Sequence, residues 1–299
     1  VVAATGRDVT DSLLLLTNTT LDVPPFFPSV VATHGDRMFY VTTVSDNVGN
    51  PSGAIYMSNK NAYQEISADL SLIQLPGLKD IVTAISLDGA LYIFGPQWTY
   101  RTTDNGSAPV TWAAPALVDG RRGTLAVRGA EVSPGGTYAW VAAQDWLYFF
   151  NGYFGGSPDN KGTPISYYQQ NIWDRINWAV ANTLVIKDDS GVHKVYVMVA
   201  LDGATVPNYL LTWDYTNGFD PGVAQFSLDF IRNYDPSAMD VVQNSLPGTA
   251  TGVVKRRELW LGPSTAGSIL RRNATGDPLP YRDAIQPIQT QYETSLFPH

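Results

Sequence analysis

An aliphatic residue, an aromatic, a second apolar residue and then a turn recur along this chain. The order is met at Met38-Phe39-Tyr40-Val41, Ala54-Ile55-Tyr56-Met57, Leu91-Tyr92-Ile93-Phe94, Trp98-Thr99-Tyr100, Tyr138-Ala139-Trp140-Val141, Leu147-Tyr148-Phe149-Phe150, Val195-Tyr196-Val197-Met198, Leu210-Leu211-Thr212-Trp213 and Glu258-Leu259-Trp260-Leu261. Such short apolar runs, bounded by Gly, Asp and Asn, read as buried strands rather than helices. They fall into pairs whose leading strands centre near Tyr40, Tyr92, Trp140, Tyr196 and Trp260, giving steps of 52, 48, 56 and 64 residues. A unit of a few short strands recurring at such intervals predicts an all-β chain, a β-propeller-like array of about five or six blades of short antiparallel strands.

Within this frame the turns are predicted at Gly35-Asp36, Asp88-Gly89, Pro134-Gly135-Gly136 and Gln144-Asp145, where Asp, Asn and Gly supply the required backbone. The second unit is expected to hold strands over Val82–Ser86, Ala90–Phe94 and Thr99–Thr103, and the third over Gly123–Val127, Tyr138–Ala142 and Leu147–Phe150. The fourth unit runs from Val192 to Tyr215. Between Asn217 and Val253 the pattern weakens, with Phe226–Ile231 the clearest strand; the fifth unit holds Glu258–Leu261 and Ser268–Leu270. Helix is confined to Ile165–Leu184. Ile172, Ile176 and Ala179 share a face but Trp173 and Trp178 fall off it, so at most one short helix, near Ile172–Ala179, is expected.

Residues 1–28 carry a strand at Val9–Thr17 and a Pro-rich linker at Pro24-Pro25-Phe26-Phe27-Pro28. A strand at that place could complete the last blade and cover two sheet edges. Residues 29–299 then form the propeller. The alternating stretch Ile288–Phe297 ends close to His299, which suggests one segment of a longer polypeptide.

Composition narrows the function classes. Apolar residues make up 44% of the 299, enough for a sizeable core, whereas charged residues are only 15%. The surface is therefore built from Ser, Thr, Asn, Gln and Gly, which suits a subunit packed against neighbours. The net charge is −8 and the pI about 4.8, the opposite of a dense cationic nucleic-acid stripe. Arg121-Arg122, Lys255-Arg256-Arg257 and Arg271-Arg272 are the basic clusters and read as loop or interface charges. Cysteine is absent, which excludes disulfides and thiolate metal sites, and no apolar run reaches membrane-spanning length. Sequons at Asn18, Asn105 and Asn273 are at the frequency that composition alone produces.

Candidate chemistry is sparse. His34, His193 and His299 are scattered, none beside a Gly-x-Ser-x-Gly elbow, so neither a nucleophilic triad nor a zinc site is expected. Asp46-Asn47 with Asn50, and Asp159-Asn160, lack the alternating oxygen ligands of a calcium loop and are explained as turns. Thr103-Asp104-Asn105-Gly106 followed by Val110-Thr111-Trp112 loosely resembles the Asp-box turn of sialidase-type propellers, with Thr in place of the leading Ser and extra residues before Thr111. That turn is structural even in sialidases, and this chain has only four Glu (Glu65, Glu131, Glu258, Glu293) and no recognisable arginine frame for a carboxylate. Most of the eight Trp lie inside strand phrases; Trp112, Trp173 and Trp178 are the exceptions and the best candidates for a sugar-stacking face. No catalytic, cofactor-binding or metal-binding residue is assigned, and no cofactor is expected.

Six stretches in order resemble virion proteins of tailed bacteriophages, the β-propeller components of the tail, including the nozzle-like proteins of short-tailed phages. They are Ile81–Phe94, Ala143–Gly152, Pro164-Ile165-Ser166 with Trp173–Asn177, Pro207–Tyr215, Leu259–Gly262, and Ile288–Thr294 with its Tyr292-Glu293-Thr294. The resemblance spans residues 30 to 295; it departs at Gln144-Asp145-Trp146, where the resembled pattern has Asp-Gly. It implies a non-enzymatic structural subunit of the virion tail, part of the DNA-delivery conduit. The implied partners are other tail proteins and other copies of itself in a ring, a hexamer by analogy, with DNA passing through but no specific nucleic-acid binding and no membrane. The alternative is a carbohydrate-binding or Asp-box sialidase-like propeller.

Overall fold

The computed structural model describes residues 28–45, 51–63, 66, 72–73, 75, 80–155, 163–231, 235–246, 254–263, 269–271, 282–283, 286–287 and 290–291. The strand expected at Val9–Thr17 and the loops at Asp46–Asn50 and Asp159-Asn160 lie outside them. The chain divides into two compact units, Val1–Val127 and Arg128–His299.

The first unit contains two four-stranded meanders. One is β1 (Val30–His34), β2 (Arg37–Ser45), β3 (Pro51–Met57) and β4 (Leu72–Ile73); the other is β5 (Thr83–Leu87), β6 (Ala90–Phe94), β7 (Thr99–Thr103) and β8 (Ala116–Asp119). Each strand pairs antiparallel with its chain neighbour, so local pairing alone generates the sheets. The β5–β6 hairpin is closed by Asp88 and Gly89, both with positive φ, 47° and 71°. Two such residues make the tight turn whose twist matches paired strands.

The central strands β6 and β10 are apolar at every position, and their burial explains why. All five residues of β6 are buried. A strand covered on both faces loses the alternation of a half-exposed one. Phe39, Val41, Ile55 and Met57 of the first sheet share a core with Leu91, Ile93 and Tyr100 of the second, joined by Trp112 from the loop before β8. Here β1 lies beside β5, the first strand of one meander against the first strand of the next.

The second unit holds β9 (Ala130–Val132), β10 (Ala139–Ala142) and β11 (Leu147–Phe150) in one sheet. A second comprises β12 (Val185–Asp189), β13 (Lys194–Val199), β14 (Tyr209–Asp214) and β15 (Gln225–Phe230). A third is formed by β16 (Pro236–Leu246), β17 (Val254–Pro263) and β18 (Leu270–Arg271). The short pair β19 (Arg282–Asp283) and β20 (Gln286–Pro287) stands apart, and β21 (Thr290–Gln291) returns to β15, pairing Leu228 with Gln291 and Asp229 with Thr290. Again the first strands are neighbours, β12 touching both β9 and β16. Val185, Tyr196, Met198 and Leu210 pack with Met239, Leu259 and Leu261 across two of these sheets.

The protein is thus all-β, in small antiparallel sheets, and among the described residues no sheet closes on itself. Ala90–Phe94, Thr99–Thr103 and Leu147–Phe150 are strands at the predicted bounds. Three expectations need correction. Gly123–Val127 is not a strand: Thr124 N donates to Gly95 O at 2.9 Å, and the segment is pressed as irregular chain against the turn Gly95–Trp98. The helix near Ile172–Ala179 is broken. One α-helical turn, Gln170–Trp173, follows the 3₁₀ turn Tyr167–Gln169, and a separate 3₁₀ segment, Trp178–Thr183, comes after a bridge between Ile176 and Leu201. That bridge pulls the backbone out of helix to pair with the end of the neighbouring sheet. The stretch where the pattern weakened holds β16, eleven residues long.

Gly123 offers a direct test of the first correction. A Cβ there would collide with the carbonyl oxygens of Gly95 and Trp98, which are backbone and cannot swing away. Gly123→Ala is expected to cost about 3 kcal/mol or more, against about 1–2 kcal/mol for Gly89→Ala, whose surroundings are open and whose cost is only its positive φ. Urea unfolding of both variants reads this order, and equal midpoints would contradict the packing described.

Candidate functional site

The densest polar chemistry in the second unit surrounds β12. Asp188 is 5% exposed, buried among rings. Its Oδ1 accepts from Tyr215 OH at 2.6 Å and from Trp140 Nε1 at 3.0 Å, and its Oδ2 lies 3.1 Å from Tyr138 OH. The two hydroxyls are themselves 2.9 Å apart. Phe149 and Phe219 complete the enclosure, with Phe219 stacked near Tyr215 and within 4.4 Å of Phe149 between centroids.

Counting protons in this triangle is instructive. With Asp188 ionised, two hydroxyl protons must serve three oxygen–oxygen contacts. With Asp188 protonated on Oδ2, each contact has one: Oδ2 donates to Tyr138, Tyr138 to Tyr215, and Tyr215 to Oδ1. Burial pushes the carboxyl of Asp188 in that same direction, above its ordinary range, outweighing the three hydrogen bonds that favour the anion. Burial likewise drives Tyr138 up to about 12 and Tyr215 well above the usual phenol range.

On the neighbouring position of the same strand, Lys187 Nζ pairs with Glu131 Oε1 of β9 at 3.0 Å and lies 3.7 Å from Asp240 Oδ1 of β16. One lysine therefore ties the first strands of three sheets. Burial raises the carboxyl of Glu131, and the Lys187 ammonium offsets this. Arg128 adds a further tie, donating from Nη1 to Ser237 O at 2.7 Å.

The first unit carries a matching node. Arg37 is 5% exposed and donates from Nη1 to Ser58 O at 2.9 Å and from Nη2 to Ser107 O at 3.0 Å, while its Nε lies 3.6 Å from Asp104 Oδ2. Asp104 belongs to the loop that resembles an Asp-box, and the geometry explains its residues. Asp104 Oδ1 accepts from Gly106 N at 2.6 Å, Asn105 Oδ1 from Ser107 N at 3.0 Å, and Trp112 Nε1 donates to Ser107 O at 3.1 Å. The turn joins β7 to β8 and seats Trp112 in the core. His34 is buried beside it, its Nδ1 2.9 Å from Ser86 Oγ and its ring edge-on to Trp112. Its pKa is lowered, first by burial.

The remaining sequence candidates separate clearly. Trp112 and Trp173 are buried, 7% and 1% exposed, so the sugar-stacking face expected from them does not exist at those two rings. Trp178, half-buried, packs on Trp173. His193 is in the turn before β13 with φ of 54°, not in the strand. Arg121 is exposed and Arg122 is tied to Asp119 at 3.5 Å. Lys255-Arg256-Arg257 lies on β17 and Arg271 on β18, neither a first strand. His299 and Arg272 fall outside the described residues. Among the described residues no three metal-ligating side chains converge, and no helix is long and apolar enough to cross a membrane.

What sequence reading missed is the pair Asp188-Asp189 inside a strand and the aromatics that serve it. The signal was present only as Tyr138, Trp140 and Tyr215 at the ends of separate phrases. Against known protein families the chain matches no family model, and no curated protein matches it.

The proton count predicts how Asp188 responds to substitution. Asparagine carries a donor where the protonated carboxyl does, so Asp188→Asn is expected to stay within about 1 kcal/mol of the wild type under mildly acidic conditions. Asp188→Ala strands two hydroxyls and an indole N–H and is expected to cost about 3 kcal/mol or more. The pH sign follows from linkage. A carboxyl whose folded pKa lies above its unfolded value binds more proton when folded, so stability falls as pH rises through that window. Asp188→Asn lacks this loss and should gain on the wild type in urea midpoints as pH rises from the ordinary carboxylate range toward neutrality. A gap between the two that stays constant with pH would contradict the protonated ring.

Proposed function

We propose that this chain is a non-enzymatic structural subunit of a bacteriophage tail, a β-propeller that assembles with copies of itself into a nozzle-like ring through which DNA leaves. The observation that carries the reading is the order of strands. Within each unit the first strands of the meanders lie side by side, β1 with β5 in one and β12 with both β9 and β16 in the other. Radial stacking of meanders about an axis has this property, because the innermost strand of each blade meets its neighbours.

The chemistry supports a scaffold. The buried Asp188 and Arg37 and the half-buried Lys187 and Glu131 are engaged with partners that join strands and sheets. Five of the six stretches that resemble tail proteins fall on strands β5–β6, β11, β14, β17 and β21, and the sixth, Pro164-Ile165-Ser166 with Trp173–Asn177, falls on the helical turns between β11 and β12. As a conduit, the ring must not hold its cargo, and each neutralised phosphate would add affinity through counterion release. The basic clusters on or after β8, β17 and β18 are off the first strands, whereas the first strands carry Lys187 already paired with Glu131 and Asp240. An acidic channel would repel the duplex and a neutral one would not hold it.

The expected outcome is a closed homo-oligomer, six-fold by analogy with tail rings, in native mass spectrometry, and density for this chain in the tail in electron cryomicroscopy of particles. Duplex DNA should show no tight, salt-sensitive binding. Density elsewhere than a tail, or strong DNA binding that weakens steeply with salt, would overturn the reading.

A further inference from the structure

Aromatic rings in this protein are mostly spent in cores, and one group is not. Trp146 sits in the turn between β10 and β11, closed by Ala143 N donating to Trp146 O at 2.9 Å. Tyr167 stacks on it, centroids 5.6 Å apart and planes 30° from parallel, and Tyr168 meets Tyr167 edge-on at 5.3 Å. Tyr167 is 49% exposed and Tyr168 57%. Leaving two phenol rings in water beside a half-buried indole forfeits burial that such side chains normally gain.

The strip is held rigidly. Leu147 N donates to Ser166 Oγ at 2.9 Å and Ile165 N to Leu147 O at 3.1 Å, fixing the 3₁₀ turn against the start of β11. Behind it, Trp173 Nε1 donates to Ala143 O at 3.2 Å and Trp213 Nε1 to Gln169 Oε1 at 3.1 Å. A rigid platform binds with little ordering cost.

The rim decides what could cover it. The exposed residues of the same segments are Gln144, Asp145, Gln170, Asn171, Asp174 and Arg175 beside the two tyrosines; Arg175 is taken up by Asp202 at 2.6 Å, and Asp145 accepts from Tyr148 OH at 2.8 Å. None is aliphatic. A protein-docking core would extend the apolar contact, whereas aromatic faces edged by amides, hydroxyls and carboxylates match a pyranose ring, whose C–H face stacks while its hydroxyls bond at the edge. Two carboxylates at the rim repel acidic sugars. We infer that Trp146, Tyr167 and Tyr168 form a binding site for a neutral oligosaccharide, independent of where the chain sits in a particle.

The test titrates maltohexaose, cellohexaose and chitohexaose into the full chain, following saturation-transfer NMR and tryptophan fluorescence. At least one is expected to bind saturably with a Kd on the order of 1 mM. Tyr168→Ser and Tyr167→Ser, at positions too exposed to threaten folding, should each weaken it about fivefold or more, while Tyr63→Ser, an exposed tyrosine of the other unit, leaves it unchanged. Absence of binding by all three sugars up to about 10 mM, binding indifferent to both strip variants, or selection of peptide rather than sugar at the strip would overturn the assignment.

Discussion

Burial on both faces of strands such as β2, β6 and β12 is the constraint on which the rest of the architecture depends, because it removes water from their side chains. A carboxylate or guanidinium there must find its partners inside the protein or be prohibitively costly. Asp188 finds two phenols and an indole; Arg37 finds two carbonyls and a carboxylate. These partners come from other strands and other sheets, so each polar node also fixes how its sheets meet. Apolar packing alone would leave that relation loosely specified, since aliphatic faces slide at little cost.

The two nodes solve the problem differently. Arg37 spreads its donors over the carbonyl of Ser58, just past β3, and that of Ser107 in the loop after β7, which suits a guanidinium's fixed fork. Asp188 is driven toward neutrality by burial and gains a closed ring of hydroxyl donors in return. Lys187, on the adjacent position of β12 and facing the other way, remains half-buried and paired with two carboxylates. Alternation along one strand thus separates a neutral buried network from an ionic one closer to solvent.

The meander strands were legible because each carries its own evidence: an aromatic between apolar residues, bounded by Asp-Gly or Gly-rich turns, as at Ala90–Phe94 and Leu147–Phe150. Strands that depend on a distant partner were not. Val185–Asp189 ends in two aspartates, of which Asp188 is held in the core by donors from Tyr138, Trp140 and Tyr215 on distant strands and turns. Gly123–Val127 errs in the opposite sense: its residues suit a strand, but close approach to Gly95 and Trp98 holds it irregular. The broken helix at Ile172–Ala179 has the same origin, a bridge from Ile176 to Leu201 that no local spacing announces. Tertiary context overrode propensity at each of these places.

The same distinction applies to the aromatics. Trp112 and Trp173 lie outside the strand phrases, which made them candidates for a surface role, yet both insert their rings into cores and spend their indole N–H groups on Ser107 and Ala143 carbonyls. Position outside a strand therefore does not predict exposure when a loop is folded back over a sheet. Tyr167 and Tyr168 arrive on the surface because Trp173, a few residues later, takes the buried place behind them and Ser166 pins the turn in front. The exposed rings and the buried one are parts of one arrangement: an indole anchored inward holds the short helical segment so that two phenols must face out. That arrangement gives the strip its rigidity, and rigidity at an exposed aromatic surface is what separates a recognition platform from an accident of sequence.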